Sequence, residues 1–396
     1  MNGDERVDVV IVGGGPAGSG LAIHLASAGR RVALLDASTG ASRRVGESFA
    51  PAVQPLLREL DVWEAFVGCD PLASWGTRSR WGSNETDVHS HLVNPYQQGW
   101  HVDRAAFDAL LAQTARQRGA DVQRGVRVNG ACYRGGCWRV TTGHGAALQA
   151  RVLVDATGRH ATIARTLGAQ RLLFDRLVGV GCWWRAPASS GDGSVIVEAT
   201  DDGWWYTAPV PGGGRLTLLM TDADICRARG LNRPAVWLAA AQATVLTSER
   251  VGGAEPDGPV RSHAAFSARH RRTDRRPWLT VGDAALAVDP LTGSGIVRAL
   301  RTASAAANAI AEALDSDGSD AANALAQYDL DRDHECHRYL HERLGYYAAG
   351  PTTTAPFWAR RYAVASRNNR MAPREPDDSS TERAPTFTND RTLSRP

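Results

Sequence analysis

The chain of 396 residues changes its apolar pattern along its length, and the change predicts two kinds of structure. Residues 8–12 and 31–36 are short apolar runs that end at a glycine and at an acid, as strands buried in a parallel sheet do. Between them, Leu21, Ala22, Leu25 and Ala26 predict the buried face of a helix. Strand and helix patterns of this kind return at 100–158 and 278–314.

The stretch 172–269 has a different residue composition. It is rich in β-branched and aromatic residues and carries clusters of turn residues, which favours antiparallel strands. One helix is predicted within it, near 233–247. Residues 321–365 are predicted to be helical again. The polar end of the chain, 368–396, is rich in Pro, Ser, Thr, Arg and Asp and is expected to be disordered.

The segment VVIVGGGPAGS, residues 9–19, has the spacing of a dinucleotide-binding turn. Gly13 allows a tight turn, Gly15 lets the backbone approach a pyrophosphate, and Gly18 lets the next helix pack on the strand. Asp36 ends the second strand about twenty residues later, where an acid takes ribose hydroxyls. A glycine-rich turn in some other parallel sheet is the alternative. The candidate contacts are Gly13, Gly15, Pro16, Ala17, Gly18 and Asp36.

A second motif, VGDAALAVDPLTGSGI at 281–296, favours an FAD site over an NAD site. Asp283 would accept hydrogen bonds from ribityl hydroxyls, and Pro290 stiffens the approach. The helix after the glycines would point its amides at the pyrimidine edge of a flavin and stabilise negative charge there. A plain Asp-Pro turn before an Ala-rich helix is the alternative. The candidate flavin contacts are Asp283, Pro290, Gly293, Gly295 and Ile296.

Composition excludes several classes of function. The net charge of +3 gives no strong field for nucleic acid, and no apolar run is long enough to span a bilayer. Scattered cysteines without a CxxC pair, and an N-terminus that leads directly into a strand, predict a cytoplasmic protein. The chain has no lysine, which excludes Schiff-base chemistry. The string of histidines at 334–341 does not form HExxH, because position 338 is arginine, and no metal site is predicted.

Together with GES at 46–48, DR at 103–104 and DATG at 155–158, these motifs resemble the para-hydroxybenzoate-hydroxylase-like flavoproteins. That group includes single-component (group A) aromatic monooxygenases. The GES region is most similar to the flavin halogenases and to the flavoproteins that mature tryptophan-derived quinone cofactors. The resemblance implies that Arg104 lies near the pyrophosphate or ribityl chain and that residues 44–48 form a loop beside the isoalloxazine. The further FAD contacts are Arg44, Glu47, Ser48, Arg104 and Gly158.

The fold implied is α/β, with a Rossmann-like FAD lobe of the glutathione-reductase type, an antiparallel β-sheet substrate lobe and C-terminal helices. The FAD lobe is expected to be discontinuous. The predicted divisions are 1–70, 100–170 and 275–320 for the FAD lobe, 71–99 and 171–274 for the substrate lobe, 321–367 for the helical segment and 368–396 for the tail.

Two departures from the halogenase pattern argue against halogenation. Halogenases rely on a lysine to handle hypohalous acid, and this chain has none. Their Trp-x-Trp-x-Ile-Pro signature corresponds here to residues 204–209, where Tyr206 replaces the second Trp and Ala208 the Ile. The altered signature favours direct oxygen transfer.

The function predicted is an FAD-dependent monooxygenase that hydroxylates an electron-rich aromatic, an indole or a phenol, through a flavin C4a-hydroperoxide. The substrate is either free or bound to a carrier or peptide. The chain lacks a second dinucleotide motif, so electrons come from transiently bound NAD(P)H or from a partner flavin reductase, and O₂ supplies the oxygen. The alternatives are a flavin-dependent reductase or dehydrogenase without oxygen insertion, and a flavoprotein maturation partner that binds a protein.

Such chemistry needs no protein nucleophile, but a base would help to deprotonate a phenol or indole. His101, His263 and Glu47 are candidates by position only. Trp204 and Tyr206 are predicted to form the wall of the substrate site, because aromatic walls suit a flat aromatic guest. The alternative for any single tryptophan is core filler.

Overall fold

The apolar runs of the sequence become strands, and most of them belong to two large sheets. The structure is a computed structural model that describes residues 5–40, 43–143, 145–185 and 193–371. Its strands, in chain order, are β1 (Glu5–Val12), β2 (Val32–Asp36), β3 (Ser48–Phe49), β4 (Leu72–Ser74), β5 (Gly76–Arg80), β6 (Asp87–Ser90), β7 (Gly99–His101), β8 (Asp121–Arg124), β9 (Val128–Arg134), β10 (Cys137–Thr142), β11 (Ala147–Asp155), β12 (Gln170–Leu173), β13 (Leu177–Arg185), β14 (Val195–Thr200), β15 (Gly203–Val210), β16 (Gly214–Asp222), β17 (Glu255–Pro256), β18 (Arg261–Ala264), β19 (Ala268–Arg271), β20 (Trp278–Thr280) and β21 (Leu286–Ala287).

The helices of the described residues cover the faces of these sheets. In chain order they are α1 (Pro16–Ser27), α2 (Val53–Glu59), α3 (Trp63–Val67), α4 (Arg104–Gln117), α5 (Thr162–Thr166), α6 (Ala223–Arg229), α7 (Pro234–Gln242), α8 (Leu246–Val251), α9 (Gly295–Asp315), α10 (Gly318–Ala348) and α11 (Pro356–Met371).

The first large sheet is the Rossmann-like one, with strand order β8-β2-β1-β11-β10-β9 and β20 paired with β11. The strands β8, β2, β1, β11 and β20 run parallel, so their carboxyl ends meet at one edge. Val9, Val10 and Ile11 are fully buried because α1, α4 and α9 cover one face and residues of β10 and α5 cover the other. Burial on both faces explains why β1 is a continuous apolar run.

The second large sheet has strand order β17-β13-β16-β15-β14-β5-β6, with β18 paired with β13. Its pairs are antiparallel except β14 with β5, which run parallel. Odd and even positions alternate between its faces: Trp205 and Leu219 pack toward α7, whereas Trp204 and Leu218 pack on the other face. The predicted α/β class, a Rossmann-like layer with an antiparallel sheet and C-terminal helices, is therefore confirmed.

Two details of the predicted elements were wrong. The helix expected near 233–247 is two helices, α7 and α8, because the buried carboxylate of Glu198 accepts the amides at 245–247 and starts a new helix there. The first four positions of the expected tail, 368–371, belong to the end of helix α11. Positions 372–396 lie outside the described residues, and the division of the chain into lobes at the stated boundaries stays a prediction.

Candidate functional site

A cavity of about 630 Å³ lies at the carboxyl edge of the Rossmann-like sheet. Residues that follow each of the five parallel strands line it, as the rule for open α/β sheets predicts. Its volume is within the range of small-molecule and cofactor sites. The lining residues at the ends of the strands are 13–17 after β1, 36–38 at the end of β2, 126–128 after β8, 156–159 after β11, and Val281 and Asp283 after β20.

The three glycines of the first motif have different surroundings. Gly13 has φ +111°, and a Cβ there would lie 2.3 Å from the carbonyl oxygen of Ala156. A Cβ on Gly18 would lie 1.9 Å from the carbonyl oxygen of Gly13, so packing of α1 requires this glycine although it does not line the cavity. Gly15 lines the cavity, and no described protein atom lies within 4 Å of its ideal Cβ. Protein packing therefore explains why positions 13 and 18 are glycine. It does not explain Gly15, and we infer that this glycine makes room for a ligand in the cavity.

The N-terminus of α1 opens on the same space. Gly15 is the N-cap, no side chain of the described residues caps the helix, and Pro16 and Ala17 line the cavity. Free amides and the positive end of the helix dipole make this a site for a phosphate. Asp36 lies beside this turn at the end of β2, where its Oδ1 accepts a hydrogen bond from the Ser38 amide at 3.1 Å.

The second motif, at 281–296, is far from the first in sequence but lines the same cavity. Asp283, Pro290, Gly293, Gly295 and Ile296 all line it. The N-cap of α9, at position 294, makes no side-chain hydrogen bond with the amides of that helix. The carboxylate of Asp283 lies 3.3 Å from the guanidinium of Arg159, and Gly158 lines the cavity nearby with φ +70°. One cavity thus joins the two motifs, and its donors suit a dinucleotide.

The loop at 44–48 is held over the cavity by Arg104, the first residue of α4. Nη1 of Arg104 donates to the carbonyl oxygens of Val45 at 2.9 Å and Gly46 at 3.2 Å. Nη2 of Arg104 and Nη1 of Arg44 both bond the buried carboxylate of Asp108, at 3.0 and 3.1 Å. The two arginines line the cavity, and Arg104 also fixes the shape of the loop.

Four polar groups form a hydrogen-bonded chain where this loop meets the second sheet. The Tyr206 hydroxyl lies 2.5 Å from Glu47 Oε1 and 2.8 Å from Ser48 Oγ. Ser48 Oγ lies 2.8 Å from Nδ1 of His101, whose Nε2 lies 2.8 Å from the carbonyl oxygen of Gly193. Glu47, Ser48 and Tyr206 line the cavity, whereas His101 is fully buried behind them.

Burial favours the uncharged forms of the two titratable groups in this hydrogen-bonded series, Glu47 and His101. It raises the pKa of Glu47, against the opposing effects of the Tyr206 hydrogen bond and of Arg104. Burial also lowers the pKa of His101 to about 4, and the charges of Arg250 and His91 lower it further, against the raising effect of the Gly193 hydrogen bond. At neutral pH both directions favour uncharged groups.

The second sheet forms the roof of the cavity. Gly179 on β13, Tyr206 on β15, Leu218 and Met220 on β16, and His263 on β18 face the lumen. Nε2 of His263 is buried with no hydrogen-bond partner among the described residues, and burial lowers the pKa of this histidine. His263 thus lines the cavity, and its lowered pKa favours an uncharged imidazole.

Of the two residues predicted to form a substrate wall, Tyr206 lines the cavity and Trp204 does not. Trp204 is 1% exposed and packs near Trp81, and its Nε1 donates to the hydroxyl of Tyr347 on α10 at 3.2 Å. Both residues lie on the same face of β15, but the C-terminal helices cover the position of Trp204. The structure places Trp204 in the core, which was the alternative reading of any single tryptophan.

Several lining residues were missed by the sequence argument. Residues after β8 could have been found from the edge rule, because a third parallel strand must deliver its loop to the same edge. The roof residues on β13 and β16 carry no chemical signal, and only the register with Tyr206 and His263 identifies them. The missed residues that the site depends on are Val126, Arg127, Val128, Thr157, Arg159, Gly179, Leu218 and Met220.

Over the ranges that the structure describes, no group of three His, Cys, Asp or Glu side chains is arranged to hold a metal ion. Within the same ranges, no helix is both long enough and apolar enough to cross a membrane.

The buried histidines predict a loss of stability in acid. Burial lowers the pKa of His101 and of His270 to about 4, from an ordinary value of 6.5. Between these values the unfolded chain binds protons that the folded protein does not bind, so the free energy of unfolding falls as the pH falls from 6.5 toward 4. The full effect of the fully buried His101 is about 3 kcal/mol.

Urea unfolding of the apoprotein at pH 7 and pH 4.5 measures this loss. In a His270→Phe variant the loss between the two pH values should be smaller, because phenylalanine does not titrate and neither ring nitrogen of His270 makes a hydrogen bond of standard geometry with a described residue. Equal stability of the wild type at both pH values would contradict the assignment of neutral buried imidazoles.

Comparisons with known proteins agree with this geometry. The family described as FAD binding domain matches residues 6–342. The chain is 29% identical over 374 residues to LodB of Marinomonas mediterranea, named as an FAD-dependent oxidoreductase, covering 91% of this chain and 98% of that protein. It is 25% identical over 316 residues to a tryptophan 2-halogenase of Chondromyces crocatus, covering 76% of this chain and only 60% of the halogenase.

Among solved structures, the peptidyl tryptophan dihydroxylase QhpG, described as essential for tryptophylquinone cofactor biogenesis, superposes with a TM-score of 0.70 at 26% identity. The match covers 90% of this chain and 79% of that one.

Proposed function

The chain belongs to the FAD binding domain family and is an FAD-dependent oxidoreductase, and from that premise we propose that it is a monooxygenase of the para-hydroxybenzoate-hydroxylase-like group that hydroxylates an electron-rich aromatic group. The observation that carries the proposal is the single cavity in which the dinucleotide turn and the second motif lie under a roof formed by Tyr206, Leu218 and Met220. Similarity to a peptidyl tryptophan dihydroxylase supports an indole as the group that is hydroxylated.

The residues present fit FAD. Gly15 and the α1 amides would hold the pyrophosphate, Asp36 the adenosine ribose, and Asp283 the ribityl chain, with the residues at 290–296 at the flavin end. When bound and reduced, FAD supplies the activation of O₂ that oxygen insertion requires. Electrons would come from NAD(P)H or a partner flavin reductase.

The protein's own contribution would be to hold the substrate, exclude water and move protons. Leu218 and Met220 give the roof an apolar surface on which an aromatic ring can pack. Tyr206, Glu47 and His263 place three polar groups around that surface, where they can orient an indole N–H or a phenol hydroxyl. Arg104 keeps the 44–48 loop closed over the site through its bonds to Val45 and Gly46.

We propose that the substrate is presented on a peptide or a carrier. Support comes from the peptide substrate named for QhpG and from the likeness to LodB over almost the whole of both chains. A free indole or phenol is the simpler alternative, and the experiment below includes both forms.

Halogenation is a second candidate, favoured by the similarity to a tryptophan 2-halogenase. The absence of lysine from the whole chain argues against it, since the halogenases that the chain resembles rely on a lysine to handle hypohalous acid. The substitutions Tyr206 and Ala208 in the signature of that group point in the same direction.

The test incubates the FAD-loaded protein with indole and phenol compounds, free and within short peptides, under ¹⁸O-labelled dioxygen. NAD(P)H, alone or with a flavin reductase, supplies electrons, and each reaction runs with and without bromide. We expect a product that carries one or two labelled oxygen atoms and is unchanged by bromide. FAD-free protein is the control. A brominated product would establish the second candidate, and oxidation of the substrate without label would contradict both.

A further inference from the structure

A second cavity, of about 290 Å³, lies between the end of β16 and the C-terminal helices α10 and α11. We propose that it binds a small organic carboxylate, a molecule other than the aromatic substrate, and that the bound carboxylate acts on the loop at the flavin end of the first cavity. The site itself depends only on side chains of this chain. Its effect on the flavin rests on the proposed function, because it requires the flavin end to lie at 290–296.

The two cavities meet at a single residue. Of the described residues that line them, only Asp289 lines both. This side chain is 1% exposed, its Oδ2 accepts a hydrogen bond from the Tyr347 hydroxyl at 2.7 Å, and its Oδ1 accepts one from the Leu291 amide at 3.0 Å. A ligand in the second cavity is therefore separated from the roof of the first, and we take it to be a different molecule from the substrate.

Most of the charged groups in the second cavity pair with each other. Arg361 forms two bonds to Asp222, through Nη2 at 3.0 Å and through Nη1 at 3.3 Å. Arg360 bonds Asp222 at 3.0 Å and Asp224 at 2.6 and 2.8 Å. These ion pairs attach α11 to β16 and α6, and that structural role accounts for them.

Arg343 on α10 is different, because the protein uses only one of its three nitrogens. The residue is 9% exposed, and its Nη1 donates to Asp175 Oδ2 at 2.5 Å and to Ser267 Oγ at 3.2 Å. Its Nε and Nη2 make no hydrogen bond within the part of the chain that the structure describes, and neither atom is closed off from solvent. Because a guanidinium has five N–H donors and no acceptor, this edge of Arg343 is left to a ligand.

Arg176 adds a second guanidinium at the rim of the cavity. It is exposed, and its side chain has no hydrogen-bond or ion-pair partner among the described residues. Asp289 is a poor counter-ion for it, since burial raises the pKa of that carboxyl and the charge of Asp175 raises it further. The lining includes four arginines and, apart from Asp289, three aspartates. One negative charge from a ligand would therefore complete the cavity.

A carboxylate is the anion that this arrangement suits. Its two oxygens match the parallel N–H groups at the edge of a guanidinium. Phe174, Leu344 and the ring of Tyr347 line the same cavity and give the body of an organic anion an apolar surface on which to pack. The volume is at the low end of the range for small-molecule sites, which favours a small ligand. Inorganic phosphate would leave the apolar surface uncovered.

One face of α10 connects this site to the flavin end. Tyr339, Arg343 and Tyr347 follow each other at intervals of four residues, so they lie on the same side of the helix. The Tyr347 hydroxyl donates to the carboxyl of Asp289, and the Tyr339 hydroxyl accepts from the Asp289 amide at 2.8 Å. A carboxylate bound to Arg343 would therefore act between the two tyrosines that hold the loop at 289–293.

Calorimetry of the FAD-loaded protein tests the site without turnover. We expect saturable heat with benzoate, and none with the neutral analogue benzamide or with inorganic phosphate. Arg176→Gln should weaken benzoate binding by about 10-fold or more, because it removes a charge-assisted hydrogen bond. Since Arg176 is exposed and bonds no other described side chain, this variant should fold normally. The matched control is Arg338→Gln, an exposed position on α10 that lines neither cavity, which should bind benzoate as the wild type does.

Several results would overturn the site. The first is the absence of saturable heat with benzoate, and the second is equal affinity for benzoate and benzamide. The third is equal affinity of the Arg176→Gln and wild-type proteins, which would show that benzoate had bound elsewhere. Phosphate that binds as tightly as benzoate would overturn the assignment to an organic carboxylate.

The visible spectrum of bound FAD tests the coupling. Benzoate should shift this spectrum in the wild type. Tyr347→Phe removes the bond to Asp289 and keeps the ring in the cavity wall, so benzoate should still bind while the shift is lost. The control is Tyr328→Phe, which removes a buried hydroxyl that donates to the Thr280 carbonyl at 2.9 Å and lines neither cavity. An equal shift in Tyr347→Phe, or binding without a shift in the wild type, would overturn the coupling.

These measurements separate the failure of the site from the failure of the proposed function. If benzoate binds through Arg176 but no aromatic substrate is oxygenated, the carboxylate site stands and the monooxygenase proposal falls. If oxygenation occurs and benzoate does not bind, the monooxygenase stands and the carboxylate site falls.

Discussion

Replacing Gly15 with alanine is expected to weaken FAD binding by about 100-fold, which is about 2.7 kcal/mol, while the apoprotein stays folded. The reason is the unequal surroundings of the three glycines. The φ of Gly15 is −75°, and no described protein atom lies within 4 Å of its ideal Cβ, so the methyl group meets nothing in the apoprotein. It would instead occupy the space where a pyrophosphate approaches the α1 amides.

Flavin fluorescence titration measures the affinity, and urea unfolding of the apoprotein measures stability. Alanine is a weaker N-cap than glycine, so the apoprotein should lose about 1 kcal/mol or less. Gly345→Ala is the matched control: its Cβ also meets nothing, but it lies on the exposed side of α10 away from the cavity. That variant should bind FAD normally and gain about 0.5–1 kcal/mol.

Gly13→Ala separates the two effects further. Its Cβ would lie 2.3 Å from a backbone oxygen at φ +111°, so both stability and FAD binding should fall. A Gly15→Ala protein that binds FAD as tightly as the wild type would show that the pyrophosphate lies elsewhere, and the placement of the cofactor would be wrong.

Replacing Glu198 with alanine is expected to lower the free energy of unfolding by about 3–5 kcal/mol, the largest stability change we predict. Glu198 lies on β14, is 2% exposed and accepts the amides of Val245, Leu246 and Thr247 at 2.7, 3.0 and 2.8 Å. Truncation leaves three donors at the start of α8 without an acceptor. Each unmatched buried donor costs about 1–3 kcal/mol, reduced where water can enter.

The midpoint of urea unfolding checks this prediction. Glu249→Ala is the control on the same helix, since Glu249 is half-exposed and its ion pair with Arg78 is long, at 3.5 Å. Its loss should be below about 1 kcal/mol. Equal midpoints for the two variants would show that the Glu198 carboxylate does not hold α8 in place.

The sequence correctly predicted the features that depend on residues close together in the chain, and it missed those that depend on distant ones. Gly13 could be predicted because its positive φ is a property of a short local turn, and the strand before it is recognisable from burial on both faces. The alternation in β15 correctly places Trp204 and Tyr206 on one face. It does not show that α10 and α11 cover one of them and leave the other at the cavity.

The helix predicted near 233–247 failed for the same reason. Its apolar pattern is continuous enough for one helix, but Glu198, far away in sequence, accepts three amides and starts a second helix at that point. A local pattern carries no information about an acceptor that arrives from another strand.

The sequence by itself determined the parallel sheet, the dinucleotide turn and the FAD family, because these depend on backbone freedom and periodicity within a few residues. Only the tertiary structure decided the partner of Glu47, because Tyr206 is 159 positions away and reaches it through the register of the roof sheet. The charge state of a buried carboxyl depends on such distant neighbours and on the solvent that they exclude.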